Sequence, residues 1–361
     1  MLPQLIIDSD KLSDNIHHTL AVCRGSDITL AAVIKGFNGL PELARIYREE
    51  GCGHIASSRI KQLKACRDAG ISGPYMMIRI PAPSEADAVV RYADCSLNSE
   101  YSALVALNDA CRQQHRTHDV ILMYDCGDLR EGAWTIHDLV KLAMQVEYNL
   151  PYLYLSGIGT NLGCYGTIKA TPQKMLELIK GKSSIEQALG RPMDIVSGGA
   201  TSSFQMAAND TMPKEINHLR IGGGILIPTN WQRIKEKGVP GMHLDVFTLR
   251  CEIIEVKTKA SYPVGELDRN CFGEAVSFID RGNRKRAIGA IGRRDVGSFD
   301  GMRARIPGCT VLGGSSDHMI IDVEDCPQNV KPGDIMDFDI VYENLLYATG
   351  SPDVEIVCKG L

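Results

Sequence analysis

The chain has 361 residues, a formal net charge of -5 and an apolar fraction of 44%, values typical of a globular protein of two or three domains. This mild acidity argues against nucleic acid as a partner, because phosphate binding needs clustered Lys and Arg side chains. No two of the 12 cysteines are close in sequence, so we expect no metal and predict reduced core thiols in a cytoplasmic protein. Neither a signal peptide nor a membrane-spanning stretch is predicted.

Short apolar runs alternate with amphipathic segments through the first two thirds of the chain. Eight strands alternating with helices are typical of a (β/α)8 TIM barrel, and the count favours this fold over a doubly wound open sheet. The predicted strands are Thr29–Lys35, His54–Ser58, Tyr75–Ile80, Cys95–Ser99, Asp119–Asp125, Tyr152–Gly157, Asp194–Ser197 and Leu219–Ile221. The predicted helices are Pro41–Glu50, Arg59–Ala69, Ser84–Ala93, Ser102–Gln114, Ile136–Tyr148 and Pro172–Leu189.

The pattern changes after about residue 236, where strands separated by Gly, Pro and Asp turns replace the alternation. We therefore predict α/β plus β architecture, with a barrel over residues 1–236 and a mainly β C-terminal domain over residues 237–361. The short strand Leu5–Ile7 falls outside the count of eight and is a candidate member of the β domain. The predicted strands of that domain are Phe247–Val256, Arg286–Ile291, Met319–Val323 and Ile335–Tyr342.

Lys35 follows four apolar residues at the end of the first predicted barrel strand. TIM barrels keep their active sites at the carboxyl ends of the strands. A desolvated lysine there can lose its proton and attack a carbonyl carbon. A lysine that reaches into solvent from a strand end is the alternative, and position alone does not separate the two.

Two glycine clusters favour the chemical interpretation. The segment from Ser197 to Ser203 follows the seventh predicted strand, and Gly222–Gly224 follows the eighth. Loops after strands seven and eight are a frequent phosphate site in TIM barrels, since glycine lets main-chain N–H groups approach an anion. Each cluster alone also fits a tight turn. Their joint occurrence with Lys35 predicts a lysine-bound cofactor that carries a phosphate.

Arg220 lies inside the last predicted barrel strand. A buried guanidinium is costly unless it is paired, so a structural ion pair is one interpretation. The other is donation to an acceptor nitrogen on a cofactor ring. A permanently protonated donor would keep that nitrogen unprotonated and would favour simple proton exchange over side reactions.

These motifs, taken in order, resemble the alanine racemase-like, fold type III pyridoxal phosphate enzymes. Within that family the phrases at Gly159–Gly166 and Ser315–His318 are similar to the ornithine racemase branch. The resemblance covers nearly the whole chain. Its motifs are Lys35, Asp125–Gly132, Gly159–Asn161, Ser197–Thr201, Leu219–Gly222, Gly313–Met319 and Tyr342–Glu343.

The resemblance implies a racemase of ornithine or another basic amino acid that works as a head-to-tail homodimer. Lys35 would hold pyridoxal 5'-phosphate and act as one acid/base. Arg130 would meet the substrate carboxylate or the second base. The residues implied around the cofactor are Lys35, Asn161, Ser197, Gly199, Thr201, Arg220, Gly222 and Gly223.

Racemisation needs a second acid/base on the opposite face of the substrate. Tyr262 is the first candidate, although Pro263 stands where the family has glycine, and Asp317 and His318 are alternatives. Met123 replaces a lysine that alanine racemases carry, which argues against a plain alanine racemase.

A cationic substrate also needs an anionic contact at the far end of its pocket. Asp128, Glu131 and Asp317 are the candidates by resemblance and charge. Ser316 is the remaining predicted substrate contact.

Other activities remain open at this point. They are an alanine or broad-specificity racemase, and a decarboxylase or aldolase of the same fold. A non-catalytic cofactor-binding protein is a third class, but such proteins are essentially a lone barrel. The long β half argues against that class.

Overall fold

A computed structural model describes residues 1–228 and 241–360 and divides the chain into two compact units. One unit is Leu12–His243, and the other combines Met1–Lys11 with Leu244–Leu361. The predicted boundary between residues 236 and 237 lies outside the described residues. The N-terminal residues thus belong with the C-terminal half, as considered for Leu5–Ile7.

The first unit is a closed barrel of eight parallel strands, which confirms the predicted fold class. Neighbours in the barrel follow chain order, and the last strand, His218–Ile221, pairs with the first, Thr29–Val33, to close the ring. All eight predicted barrel strands are present, most with ends shifted by one to three residues. The strands are β2 (Thr29–Val33), β3 (His54–Ser57), β4 (Tyr75–Met77), β5 (Cys95–Asn98), β6 (His118–Met123), β7 (Leu153–Gly159), β8 (Ile195–Ser197) and β9 (His218–Ile221).

Helices connect the strands, and their ends follow ordinary capping chemistry. The Thr171 hydroxyl accepts the Lys174 N–H at the start of α7, where Pro172 occupies a first-turn position that tolerates proline. The Thr135 hydroxyl caps α6 in the same way. The helices of this unit are α1 (Ser9–Gly25), α2 (Pro41–Glu49), α3 (Ile60–Asp68), α4 (Ala86–Tyr92), α5 (Tyr101–Gln114), α6 (Ile136–Asn149), α7 (Pro172–Leu189), α8 (Phe204–Ala208) and α9 (Gly223–Leu226).

Side chains from successive strands fill the barrel with an apolar cluster. Its members are buried small and medium residues, as expected where eight strands converge on a narrow space. They are Ala31, Val33, Ala56, Met76, Cys95, Leu97, Ile121 and Met123. No helix within the two described ranges is long and apolar enough to cross a lipid bilayer.

The second unit is built on an eight-stranded sheet. Its strand order is β12-β15-β10-β11-β14-β13, and β1 pairs antiparallel with β10 and parallel with β16. Two short helices, α10 (Arg293–Val296) and α11 (Tyr342–Ala348), accompany it. The strands are β1 (Gln4–Asp8), β10 (Phe247–Ala260), β11 (Asn283–Gly289), β12 (Arg303–Ala304), β13 (Thr310–Gly314), β14 (Met319–Asp322), β15 (Ile335–Asp339) and β16 (Glu355–Lys359).

Sequence patterns missed β12, β13, β16, the helix α1 and the short helices α8, α9, α10 and α11. The first of these has two residues, and β13 ends in two glycines, so neither carries a clear alternation of apolar and polar residues. Pairing with neighbouring strands supplies what local propensity lacks.

Gly157 is the tightest close approach inside the barrel. A Cβ at this position would lie 2.0 Å from the Ile195 carbonyl oxygen on the neighbouring strand. We expect Gly157→Ala to lower the free energy of unfolding by about 1–3 kcal/mol, because the two strands must separate. Gly25→Ala is the matched control, since its Cβ meets nothing within 4 Å. Urea unfolding followed by circular dichroism checks this, and equal midpoints for the two variants would contradict the predicted crowding.

Candidate functional site

The carboxyl ends of the barrel strands carry the predicted site residues of the first unit. Because the strands are parallel and closed, their carboxyl ends all meet at one end of the barrel. Lys35 follows β2, Asp125 follows β6, Asn161 follows β7 and Gly222 follows β9. Residues far apart in sequence therefore share one rim.

Lys35 lies in a short 3-10 turn, Ile34–Phe37, rather than in the strand that the sequence predicted. Asn38 ends this turn with a left-handed φ of 54°. Burial lowers the pKa of the Lys35 amine below its ordinary value of 10.5. A lowered pKa increases the fraction of neutral amine near pH 7, which is the nucleophilic and basic form.

Ionisable groups around Lys35 have opposing effects on the pKa of its amine. Cys164 and Glu131 raise the pKa of its amine, whereas Arg130 and Arg59 lower it. Burial is the largest influence on this pKa, so desolvation decides its direction.

The two glycine loops at this rim are joined to each other. The Thr201 hydroxyl accepts a hydrogen bond from the Gly224 N–H at 3.3 Å, which links the loop after β8 to the loop after β9. Gly199 has a φ of +111°, a backbone conformation that residues with a side chain rarely adopt. A Cβ on Gly222 would lie 3.0 Å from the Cβ of Val33, so only glycine lets this loop approach β2 closely.

Arg220 is buried inside the barrel with 3% exposure. Its guanidinium donates to the Ser197 hydroxyl and, at 2.7 Å, to the Thr160 carbonyl oxygen. Ser197 in turn lies 2.7 Å from His218 Nδ1. Within the described parts of the chain no carboxylate contacts Arg220, so the structural ion pair considered from sequence is not observed there. Burial lowers the pKa of Arg220 to about 10, which leaves the guanidinium charged at neutral pH.

The loop after β6 is folded around Asp125. Its carboxylate accepts N–H groups from Gly127 at 2.8 Å and from Leu129 and Arg130 at 3.2 Å. The Arg130 guanidinium pairs with Glu131, the next residue in the chain. Arg130 therefore starts from a fixed main-chain position and carries a neutralising partner.

Asp128, on the same loop, is committed to the main chain of the next loop. Its carboxylate is 1% exposed and accepts four N–H groups from the segment Gly163–Ile168. This geometry leaves little acceptor capacity for the substrate cation that the sequence analysis considered at this position.

The buried side chains at the rim with a polar atom that lacks a partner among the described residues include two in the loops after β7 and β8. They are the Nδ2 amide of Asn161, after β7, and the hydroxyl of Ser203, in the turn after β8. A buried donor without a partner costs free energy, and a bound ligand is one way to recover it.

The predicted residues of the β unit occupy two places. Tyr262 follows β10, is 42% exposed and packs edge-on against Phe278 at 6.3 Å between ring centroids. Ser316, Asp317 and His318 lie together in the exposed turn between β13 and β14. The Asp317 carboxylate is 3.8 Å from Arg294.

Sequence reasoning assigned no role to Arg59 or Cys164. Arg59 lies two residues after the end of β3, and Cys164 lies four residues after Thr160. Their positions after predicted strands were the available signal. Across the described ranges, no group of three or more metal-ligating side chains gathers.

Comparison with known families agrees with this geometry. Residues 7–228 match the family model "Alanine racemase, N-terminal domain". The chain belongs to the alanine racemase family. It is 34% identical over 355 residues to an ornithine racemase of Acetoanaerobium sticklandii, with 98% of this chain and 99% of the relative covered. It is 36% identical over 358 residues to a lysine racemase of Thermotoga maritima, with 98% of each chain covered.

Solved structures of other proteins share the fold of this chain. An alanine racemase of Streptomyces lavendulae superposes with a TM-score of 0.74 at 17% identity, covering 99% of this chain and 97% of the other. A D-threonine aldolase of Filomicrobium marinum superposes with a TM-score of 0.75 at 16% identity, covering 100% and 92%. At such identities the fold alone is shared, so these two structures do not distinguish a racemase from an aldolase.

The lowered pKa of Lys35 predicts a pH profile for its chemical modification. Only the neutral amine reacts with formaldehyde and a reductant, so the methylation midpoint of Lys35 should lie below pH 10.5. Lys64 is the control within the chain, because its bond to Asp68 raises its pKa and should move its midpoint above 10.5. Peptide mass spectrometry of the cofactor-free protein over a pH series measures both, and coincident midpoints would refute the desolvation of Lys35.

Proposed function

We propose that this protein is a pyridoxal 5'-phosphate-dependent racemase of a basic amino acid, with ornithine as the preferred substrate. The observation that carries the proposal is the desolvated amine of Lys35 at the barrel rim that holds the two glycine loops. The substrate class follows the printed names of the two relatives, an ornithine racemase and a lysine racemase.

The residues at the rim fit the proposed cofactor on an observation independent of the family. The buried Asn161 amide and Ser203 hydroxyl have no partner in the described chain, and polar atoms of a bound ligand would satisfy both. Gly199 and Gly222 admit no side chain without strain or crowding, which suits main-chain contacts to a phosphate. Thr201 and Gly223 complete the two loops that would surround the phosphate.

Arg220 would hold the ring nitrogen of the cofactor. Ser197 and Thr160 take two of its N–H donors, so the guanidinium is fixed in orientation before a ligand binds. Ser197 therefore contributes through Arg220. When bound, pyridoxal phosphate withdraws electrons from the Cα of the amino acid and makes its proton more acidic.

The chain itself supplies the groups that bind substrate and move protons. Lys35 would hold the cofactor, and its neutral amine would remove or return a proton at the substrate Cα from one face. Arg130, held by Asp125 and paired with Glu131, would bind the substrate carboxylate. For the distal cation of the substrate, Glu131 and Asp317 remain the proposed anionic contacts, and Ser316 a polar one.

The second acid/base is proposed to be Tyr262, with Asp317 and His318 as alternatives. We propose that it reaches the substrate from a partner subunit in a head-to-tail homodimer. The segment around Tyr262 supports association with a second copy, because it exposes many apolar side chains to solvent. They are Tyr262, Val264, Leu267, Phe272, Val276, Phe278 and Ile279. We also propose a cytoplasmic location, since most of the scattered cysteines are buried free thiols.

Lys35→Ala tests the cofactor and the reaction together. The wild-type protein with pyridoxal phosphate should show the visible absorbance of a lysine-bound cofactor, and the variant should lose it. In heavy water, wild type should incorporate deuterium at Cα of ornithine faster than of alanine, without releasing carbon dioxide or an aldehyde. Release of carbon dioxide would favour a decarboxylase, and release of an aldehyde would favour an aldolase. Equal or reversed rates for the two amino acids would refute the proposed preference.

Tyr262→Phe tests the second acid/base. Removing one proton-transfer group should lower kcat by about 10²–10⁴-fold while the visible absorbance stays unchanged. Exchange at Cα should persist from the enantiomer that Lys35 serves and fail from the other. Tyr148→Phe is the control, because Tyr148 is an exposed tyrosine on α6. Full activity in Tyr262→Phe, with loss in Asp317→Asn or His318→Gln, would move the assignment to the turn after β13.

A further inference from the structure

We propose that Asp128 is a positioning residue that clasps the loop after β7 onto the loop after β6, and that it makes no contact with the cationic end of the substrate. This inference rests on the proposed function and adds a role that the sequence analysis did not assign. From sequence, resemblance and charge make Asp128 a candidate substrate contact.

The carboxylate of Asp128 accepts hydrogen bonds at both oxygens. Oδ1 accepts the N–H groups of Gly163 at 2.9 Å and Ile168 at 3.3 Å. Oδ2 accepts those of Tyr165 at 3.0 Å and Cys164 at 3.2 Å. A carboxylate offers about four acceptor positions, so these donors use its capacity.

The main chain of Asp128 reinforces the same contact. Its carbonyl oxygen accepts the Gly166 N–H at 2.9 Å. A Cβ on Gly166 would lie 2.6 Å from that oxygen, so only glycine allows the loops to approach this closely. Burial opposes the charge of Asp128, but the four N–H donors outweigh it and lower the pKa of the carboxyl. The clasp is therefore a charged carboxylate that is stabilised by hydrogen bonds from main-chain N–H groups.

The clasped segment carries residues that influence the site. Cys164 lies close enough to raise the pKa of Lys35 and that of Arg220, and Asn161 starts the same loop. On the other side of the clasp, Arg130 follows Asp128 by two residues. Fixing one loop against the other thus fixes Arg130 relative to Asn161, and displacement of such groups by about 1 Å can cost roughly 100-fold in rate.

Asp128→Asn separates the two roles. The amide keeps one acceptor oxygen and turns two N–H donors toward two N–H groups, so at least two of the four bonds are lost. If Asp128 positions the loops, kcat/KM should fall about 10- to 100-fold for ornithine and equally for norvaline, which has the same carbon chain without the ammonium. If Asp128 binds the ammonium, ornithine alone should suffer, and that outcome would overturn the proposal.

Amide exchange in the cofactor-free protein provides a readout that needs neither cofactor nor activity. The amides of Gly163–Tyr165 should exchange at least about 10-fold faster in Asp128→Asn, because a lost bond to a charged acceptor is worth about 1.5–3 kcal/mol. Asp109→Asn is the matched control, since it makes the same charge change at an exposed pair with Arg112. Unchanged exchange of these amides in Asp128→Asn would contradict the clasp.

Hydrogen exchange on the unaltered holoenzyme keeps the proposal testable if the variant does not fold. The amides of Gly163–Ile168 should exchange slowly before any substrate is added, unlike those of the exposed residues 328–329. Fast exchange that slows only with ornithine would overturn the clasp. Absence of Cα exchange with every amino acid, alongside slow amide exchange here, would refute the proposed function and leave the clasp standing.

Discussion

Closure of the parallel barrel is the constraint on which the site depends. The pairing of β9 with β2, from Thr29 opposite His218 to Ala32 opposite Ile221, joins the last strand to the first. Without this pairing, Lys35 and the Gly222 loop would stand at opposite edges of an open sheet. With it, they become neighbours, and Gly222 must remain small because it packs on Val33. One set of main-chain hydrogen bonds thus decides where the chemistry can occur.

Charge at the rim is managed in two distinct ways. Arg220 is buried among neutral acceptors, the Ser197 hydroxyl and the Thr160 carbonyl, which fix its orientation without a carboxylate. Asp125 and Asp128 are instead surrounded by main-chain N–H groups, which stabilise negative charge without a side-chain cation. Both arrangements leave the charge oriented in advance, a condition that electrostatic catalysis requires.

The fold was predictable from sequence to a large extent, because hydrophobic alternation reports burial and burial repeats with each strand and helix. The eight barrel strands appear where that pattern placed them, and so do five strands of the β unit, counting Leu5–Ile7. Elements whose formation rests on partners were missed: Thr310–Gly314 ends in glycines and pairs only because β14 lies beside it. The helix Ser9–Gly25 also went unpredicted.

The sequence by itself determined the residue types at the carboxyl ends of the strands, and hence the chemistry of Lys35, Arg220 and the glycine loops. Local pattern suffices for this, because strand ends are visible in one dimension. Only the tertiary structure decided how each polar group is used. From sequence, Asp128 is a candidate substrate contact. In the structure it accepts hydrogen bonds from five main-chain N–H groups, four at its carboxylate and one at its carbonyl oxygen. Those donors lie some forty residues away, and no local pattern records which donors a carboxylate will meet.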